Sequence, residues 1–277
     1  MRDYLEFSFN PDDPELVSIQ DELPYWSSPF GMKLLSGIRI KKNMNVLDIG
    51  SGFGFPLIEL AQRIGESGRV YGIDPWKPAV ERCRMKIDKL GLKNASVIEG
   101  CAEKLPFEKE FFDLIVSNNG LNNVKDAVAV LRECRRTSRR GAQLIFTQNL
   151  EKTFIEFYSK FEAVLGEAGL NDSIIKMKEH IHNKRKPVEE IVEITQNAGY
   201  TILSLKQYEF DYRFSDAGAF FNYAMVKYWF LPSWKELVPA GMLDEIFGKV
   251  ERKMNDAAAP IGELRLSVPF MVVDCEK

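Results

Sequence analysis

Between residues 45 and 149 short, unbroken apolar runs alternate with amphipathic stretches. The runs at 45–49, 69–73, 95–99, 112–117 and 142–148 read as strands. They are continuous rather than alternating, which is the pattern of parallel strands covered on both faces. The stretches 55–65, 77–90 and 123–137 carry the helical period. Strand and helix in alternation predict an α/β fold, a doubly wound sheet with right-handed crossovers. Such sheets bind ligands beyond the carboxyl ends of their strands. Asp48, Asp74, Cys101 and Asn118 all fall on that edge.

The pattern changes on either side of this core. Residues 1–44 form an aromatic-rich lead-in punctuated by prolines, with short helices expected at 14–21 and 29–37. From 150 to 186 the alternation breaks: Phe154, Phe157, Tyr158 and Phe161 stand at i, i+3, i+4 and i+7, a helical stripe. The stripe is expected to pack its helix on the sheet, with part of it turned to an apolar substrate. A second helix is expected at 172–182. Core logic resumes over 187–213 with a helix at 187–197 and a strand at 201–210. Residues 214–260 are again helical and aromatic, and the last strand is expected at 263–273, within 261–277. Segments as long as 150–186 and 214–260 seldom lack function. They are expected to form a helical cap over the pocket.

The organising stretch is Val46-Leu47-Asp48-Ile49-Gly50-Ser51-Gly52-Phe53-Gly54. A strand runs into glycines at alternating positions and then into a helix. Glycine permits a sharp turn and a close ligand approach, and the helix aims its free N–H groups at the turn. Phe55 occupies the place of the third glycine in the dinucleotide pattern. Asp48, two residues before the first glycine, suits an ammonium group better than a pyrophosphate. Asp74 ends the next strand and could take two ribose hydroxyls. A cofactor with a cationic amino-acid end and a ribose fits better than NAD, and S-adenosylmethionine (SAM) has that shape. Bland readings stand beside these: Asp48 as a loop-ordering or helix-capping carboxylate, and Asp74 as an N-cap for the helix opening at 75–76.

The segments VLDIGSGFG, YGIDP and EGCAEKLPFEKEFFDLIVSNN, in that order, resemble the motifs of class I SAM-dependent methyltransferases. The likeness is to the small-molecule branch that includes the ubiquinone/menaquinone-biosynthesis type. It implies a Rossmann-like seven-stranded sheet, mostly parallel with an antiparallel last strand. It implies that Gly50, Gly52 and Gly54 lie against the methionyl and ribose parts of SAM. Asp48 would meet the ammonium, Asp74 with Pro75 the ribose, and Trp76 the adenine face. Tyr25 in the lead-in would close over the methionine end, or simply pack there with the other aromatics. Cys101, Ala102 and Glu103 stand at the adenine loop. Here the chain departs from its relatives, many of which have an aspartate where Cys101 stands. Cysteine is a poor acceptor, so the Ala102 N–H and Glu103 are left to serve. Asn118 and Asn119 fall where the methyl acceptor approaches, Asn118 lining the cofactor and Asn119 orienting the substrate. Amides cannot act as a general base. The only histidines, His180 and His182, lie in the first insertion as candidate bases or as solvated surface groups. An electron-rich acceptor needs alignment more than a base.

Composition limits this picture. A net charge of −3 over 277 residues gives no general attraction for nucleic acid. Five arginines between Arg132 and Arg140 read as a solvated helix end, or as a phosphate patch. Four cysteines without a C-x-x-C pair suggest a reduced protein with no metal site. The first residues are acidic and broken by proline, unlike a signal peptide, and 217–231 is too short to span a bilayer. A cytoplasmic protein with no membrane partner is expected; its oligomeric state is not legible. The function expected is methyl transfer from SAM to a small, apolar or aromatic molecule. The alternative is a non-catalytic SAM-binding regulatory protein, motivated by Cys101 and the want of an obvious base.

Overall fold

The computed structural model describes residues 2–22 and 26–277. Its elements begin with α1 (Asp3–Glu6), α2 (Pro14–Glu22) and α3 (Ser27–Ser36). Then come β1 (Asn45–Ile49), α4 (Leu57–Ile64), β2 (Arg69–Asp74), α5 (Lys77–Lys89), β3 (Ala95–Glu99) and β4 (Phe112–Asn118). These are followed by α6 (Ala127–Thr137), β5 (Ser138–Asn149), α7 (Ile155–Glu167), α8 (Asn171–Lys184), α9 (Val188–Asn197) and β6 (Thr201–Phe214). The chain closes with α10 (Ala217–Asn222), α11 (Leu231–Glu236), α12 (Leu243–Ala258) and β7 (Leu264–Glu276).

The strands form one seven-stranded sheet in the order β3-β2-β1-β4-β5-β7-β6. β1, β2, β3, β4 and β5 pair in parallel, and β7 pairs antiparallel to β5 from Gln143↔Glu276 to Asn149↔Phe270. The doubly wound sheet with a reversed end is therefore present as expected. Its central strands are shut away on both faces: Val46, Leu47, Leu114, Ile115, Val116 and Ile145 are fully buried. Each such side chain contributes about 1.5–3 kcal/mol by leaving water, which is why these strands appear in the sequence as unbroken apolar runs.

The chain divides into two compact units. The α/β unit comprises Pro11–Asn149, Pro187–Tyr208 and Phe270–Lys277. The helical unit comprises Met1–Asn10, Leu150–Lys186 and Glu209–Pro269. Inside the helical unit the stripe of Phe154, Phe157 and Phe161 is wholly buried. Phe157 stacks on Trp234 with ring centroids 4.1 Å apart, and Trp234 Nε1–H donates to Tyr158 Oη at 2.9 Å. Phe161 meets Phe247 of α12. The stripe is thus spent on the interior of its own unit.

Several boundaries differ from expectation. α6 starts at Ala127 rather than 123, because Asp126 caps it, its Oδ1 accepting the Ala129 N–H at 2.9 Å. Glu103 Oε1 accepts the Lys125 N–H at 3.0 Å and keeps that segment outside the helix. Asp126→Ala is expected to lower stability by about 1 kcal/mol, the usual worth of such a cap; urea denaturation checks it. β5 begins at Ser138, four residues early, by pairing Ser138 with Phe112 before a register shift. Among the described residues no helix is long and apolar enough to cross a membrane.

Candidate functional site

All parts of the site described here lie in the α/β unit. Gly50 turns the chain at the end of β1 with φ 72°, and its N–H donates to Ile73 O at 2.9 Å. A Cβ on Gly50 would lie 2.9 Å from the Gly120 Cα, so two turns meet backbone to backbone. Gly52 is different: at φ 48° a Cβ there would meet nothing within 4 Å. The Gly52 N–H donates to Asp74 Oδ2 at 2.9 Å, and Trp76 N–H donates to Asp74 Oδ1 at 2.8 Å. Asp74 therefore ties the glycine turn to β2 and orders the entry to α5. Each of its oxygens keeps a lone pair. Burial raises its carboxyl pKa, while these two N–H bonds oppose the rise.

Asp48 is fully buried. Its Oδ2 accepts the Leu57 N–H at 3.1 Å, at the first residue of α4, while Oδ1 is buried without a partner. Burial pushes its pKa well above the carboxylate range; the Leu57 N–H opposes this and the Asp74 charge adds to it. The capping role is thus real, and one oxygen is left over from it. Ser51 Oγ is likewise buried and unpartnered.

At the next strand Gly100 N–H donates to Asp74 O at 3.0 Å, which places Cys101 and Ala102 beside the Asp74 end of β2. Cys101 is exposed and Ala102 buried. Glu103 Oε1 accepts the Lys125 N–H at 3.0 Å and the Asp126 N–H at 3.5 Å. Pro75 is exposed; Trp76 is half-buried and meets Phe53 edge-on at 5.3 Å. Tyr25 lies outside the described residues.

Asn118 and Asn119 have divided tasks. Asn118 Nδ2 donates to Ser27 O at 2.9 Å and its Oδ1 accepts from Thr147 Oγ1 at 3.0 Å. Its amide is therefore committed to holding α3 and β5. Asn119 adopts φ 59°, a left-handed conformation that asparagine tolerates. Its N–H donates to Thr147 Oγ1 at 3.0 Å, and its Oδ1 accepts from the Asn149 N–H at 3.1 Å and from Asn122 Nδ2 at 3.2 Å. Asn122 Nδ2 also donates to Asn149 Oδ1. Asn119 Nδ2 and Asn122 Oδ1 are buried without partners. Asn118 and Asn119 are expected from the sequence, whereas Asn122, Thr147 and Asn149, which bond to them, are not. The doubled pair in Asn118-Asn119-Gly120-Leu121-Asn122-Asn123 was the available signal.

The remaining candidates are elsewhere. His180 and His182 sit on α8 of the helical unit. Burial, with Arg185 and Lys184 adding to it, lowers the His180 pKa. Three of the five arginines after Leu131 have structural partners: Arg135 donates to Gly199 O, Arg136 pairs with Glu133, and Arg139 with Asp113. A cavity of about 510 Å³ in the helical unit is lined by Leu170, Ser173, Lys176 and Leu237, among others, and by none of the predicted site residues. Among the described residues no cluster of His, Cys, Asp and Glu is placed to hold a metal ion.

A family model described as a methyltransferase domain matches residues 40–207, more than half of the chain. The demethylmenaquinone methyltransferase of Bacillus mycoides (strain KBAB4) is 34% identical over 118 residues, 43% of this chain and 50% of that protein. The chain thus spans about half the length of this curated relative. Among solved structures, the YcgJ protein of Bacillus subtilis superposes with a TM-score of 0.57 at 16% identity, over 90% of this chain and 98% of its own. A SAM dependent methyltransferase from Aquifex aeolicus gives 0.51 at 24% identity, over 70% and 91%. These likenesses establish the fold.

Proposed function

The chain belongs to the methyltransferase-domain family, and from that premise we propose that it binds SAM and transfers its methyl group to a small, apolar or aromatic organic molecule. One observation carries the reading: two buried carboxylates, Asp48 and Asp74, flank a glycine turn that is open on one side at Gly52. The unpartnered Asp48 Oδ1 suits an ammonium group, directly or through one water. The spare lone pairs of Asp74 suit a vicinal diol. Phe55 in the third-glycine position disfavours a pyrophosphate. SAM supplies an electrophilic methyl on a sulfonium.

The protein's own share of the reaction is placement. Asp74 fixes the ribose and Gly52 lets the backbone lie against it. The ends of β4 and β5 then hold the acceptor in line with the methyl, which supplies most of the acceleration for an electron-rich nucleophile. The relatives are named for methylating demethylmenaquinone, so reduced quinone-type rings head the acceptors to try.

Titration calorimetry with S-adenosylhomocysteine (SAH) tests the cofactor reading, and transfer of labelled methyl to a panel of aromatic acceptors tests the activity. Saturable SAH binding and label in an organic product are expected. Absence of SAH binding at millimolar ligand sinks the proposal. Tight SAH binding with no transfer to any acceptor moves the assignment to a SAM-binding regulatory protein.

A further inference from the structure

The polarity of the asparagine network is fixed from one end. The Asn149 N–H is a backbone donor and cannot be inverted, so the atom it meets at 3.1 Å on Asn119 is the oxygen. That oxygen only accepts, so Asn122 must present its nitrogen to it at 3.2 Å. The same nitrogen then serves Asn149 Oδ1. Neither amide can turn over without losing bonds already made. What remains is set by elimination: the Asn119 Nδ2 hydrogens and the Asn122 Oδ1 lone pairs, both buried and both unpartnered. Buried polar groups rarely stay unpaired, and each one that does calls for an explanation.

The Asn119 conformation keeps this arrangement in place. Its N–H is held by Thr147 Oγ1 and its carbonyl accepts from Asn123 Nδ2 at 3.3 Å. Asn119 itself is 7% exposed. It is followed at once by Gly120, whose Cα packs against the glycine turn of β1. The two spare atoms therefore belong to the loop that abuts the cofactor cradle within the same unit. Asn118 differs in that each end of its amide already carries a bond, to Ser27 O and from Thr147 Oγ1.

Resting on the methyltransferase reading, we propose that Asn119 and Asn122 are the acceptor-reading pair of this site, selecting a group that both accepts and donates a hydrogen bond: a hydroxyl or a primary carboxamide. Such a group takes a hydrogen from Asn119 Nδ2 and gives one to Asn122 Oδ1. An ether or ketone satisfies the first and leaves the second bare. A carboxylate sets its charge against the Asn122 lone pairs. Sites built to hydrogen-bond a ligand hydroxyl reject the analogue lacking it strongly, because their own polar groups are then left unpaired.

The test uses the full chain saturated with SAH and four probes of one size: 2-naphthol, 2-naphthamide, 2-methoxynaphthalene and 2-naphthoate. Ligand-observed NMR titration gives each affinity. The wild type is expected to hold 2-naphthol or 2-naphthamide at least about tenfold more tightly than the ether and the acid. Asn119→Gly, which accepts the positive φ without strain, and Asn122→Ala are each expected to reduce that preference to within about twofold, leaving SAH affinity within about threefold of wild type. Should one variant fail to fold, as judged by circular dichroism, the other carries the test. No preference in the wild type, or a preference untouched by both variants, overturns the proposal. So does SAH affinity that falls together with probe affinity, which would give the pair to the cofactor and leave the methyltransferase reading standing. Failure of the wild type to bind SAH at all overturns that reading instead.

Discussion

Gly50→Ala is expected to cost the fold more than Gly52→Ala, and Gly52→Ala to cost cofactor binding at the smaller expense to the fold. The two glycines are neighbours in one turn and both have positive φ, 72° and 48°. A side chain in that region costs about 1–2 kcal/mol on its own. At Gly52 this is the whole penalty, since a Cβ meets nothing within 4 Å. At Gly50 the new methyl would press on the Gly120 Cα from 2.9 Å. That neighbour is backbone and cannot swing aside, and overpacking of this kind adds about 1–3 kcal/mol. The sum, about 2–5 kcal/mol, is a large part of a typical stability of about 5–15 kcal/mol. Gly50→Ala should show a sharply lowered urea midpoint. Gly52→Ala should lose only the left-handed penalty of about 1–2 kcal/mol, yet bind SAH at least about tenfold more weakly, roughly the effect of losing one good contact. Equal midpoints for the two variants would contradict the backbone contact. Wild-type SAH affinity in Gly52→Ala would mean that the open face of the turn is not where the ligand lies.

The sheet was legible because its central strands are buried on both faces and carry few polar residues. The expected β5 is short because Ser138-Arg139-Arg140-Gly141 looks like a loop; only the pairing of Ser138 with Phe112 makes it strand. β6 was ended at Phe210, although the alternation of Asp211, Tyr212, Arg213 and Phe214 continues it. The start of α6 depends on Glu103, some twenty residues upstream, and no local period reveals that. The glycine turn is legible in outline, since Asp48, the glycines and Asp74 mark it in the sequence. The sequence leaves open whether Asp48 caps a helix or meets a ligand; the structure shows the cap and, with it, a second oxygen that the cap does not use. Asn118 and Asn119 look equivalent as a dipeptide, and only their bonds with Ser27, Thr147 and Asn149 show which of the two amides has a nitrogen without a partner.

Asp48→Asn is expected to move stability and cofactor affinity in opposite directions. In the ligand-free protein the Asp48 pKa lies well above its ordinary value, chiefly through burial. A carboxyl with a raised folded pKa stabilises the fold below its unfolded value of about 3.9 and loses that contribution as pH rises through the folded pKa. Toward neutral pH the ionised form is therefore a penalty that grows until titration is complete. Asparagine keeps an acceptor for the Leu57 N–H and has no such titration. The variant's stability should thus gain on wild type as pH is raised from below about 4 toward 7. Its affinity for SAH should fall about 10- to 100-fold, the worth of one charge-assisted hydrogen bond of about 1.5–3 kcal/mol. An ammonium beside Oδ1 lowers the carboxyl pKa, so wild-type binding should also release a proton wherever Asp48 is still protonated. Calorimetry in two buffers of different ionisation enthalpy reads that proton, and the variant should lack it. Were Asp48 a cap alone, the substitution would leave SAH affinity and proton release as they are in wild type, and the amino-acid end of the cofactor would need another partner.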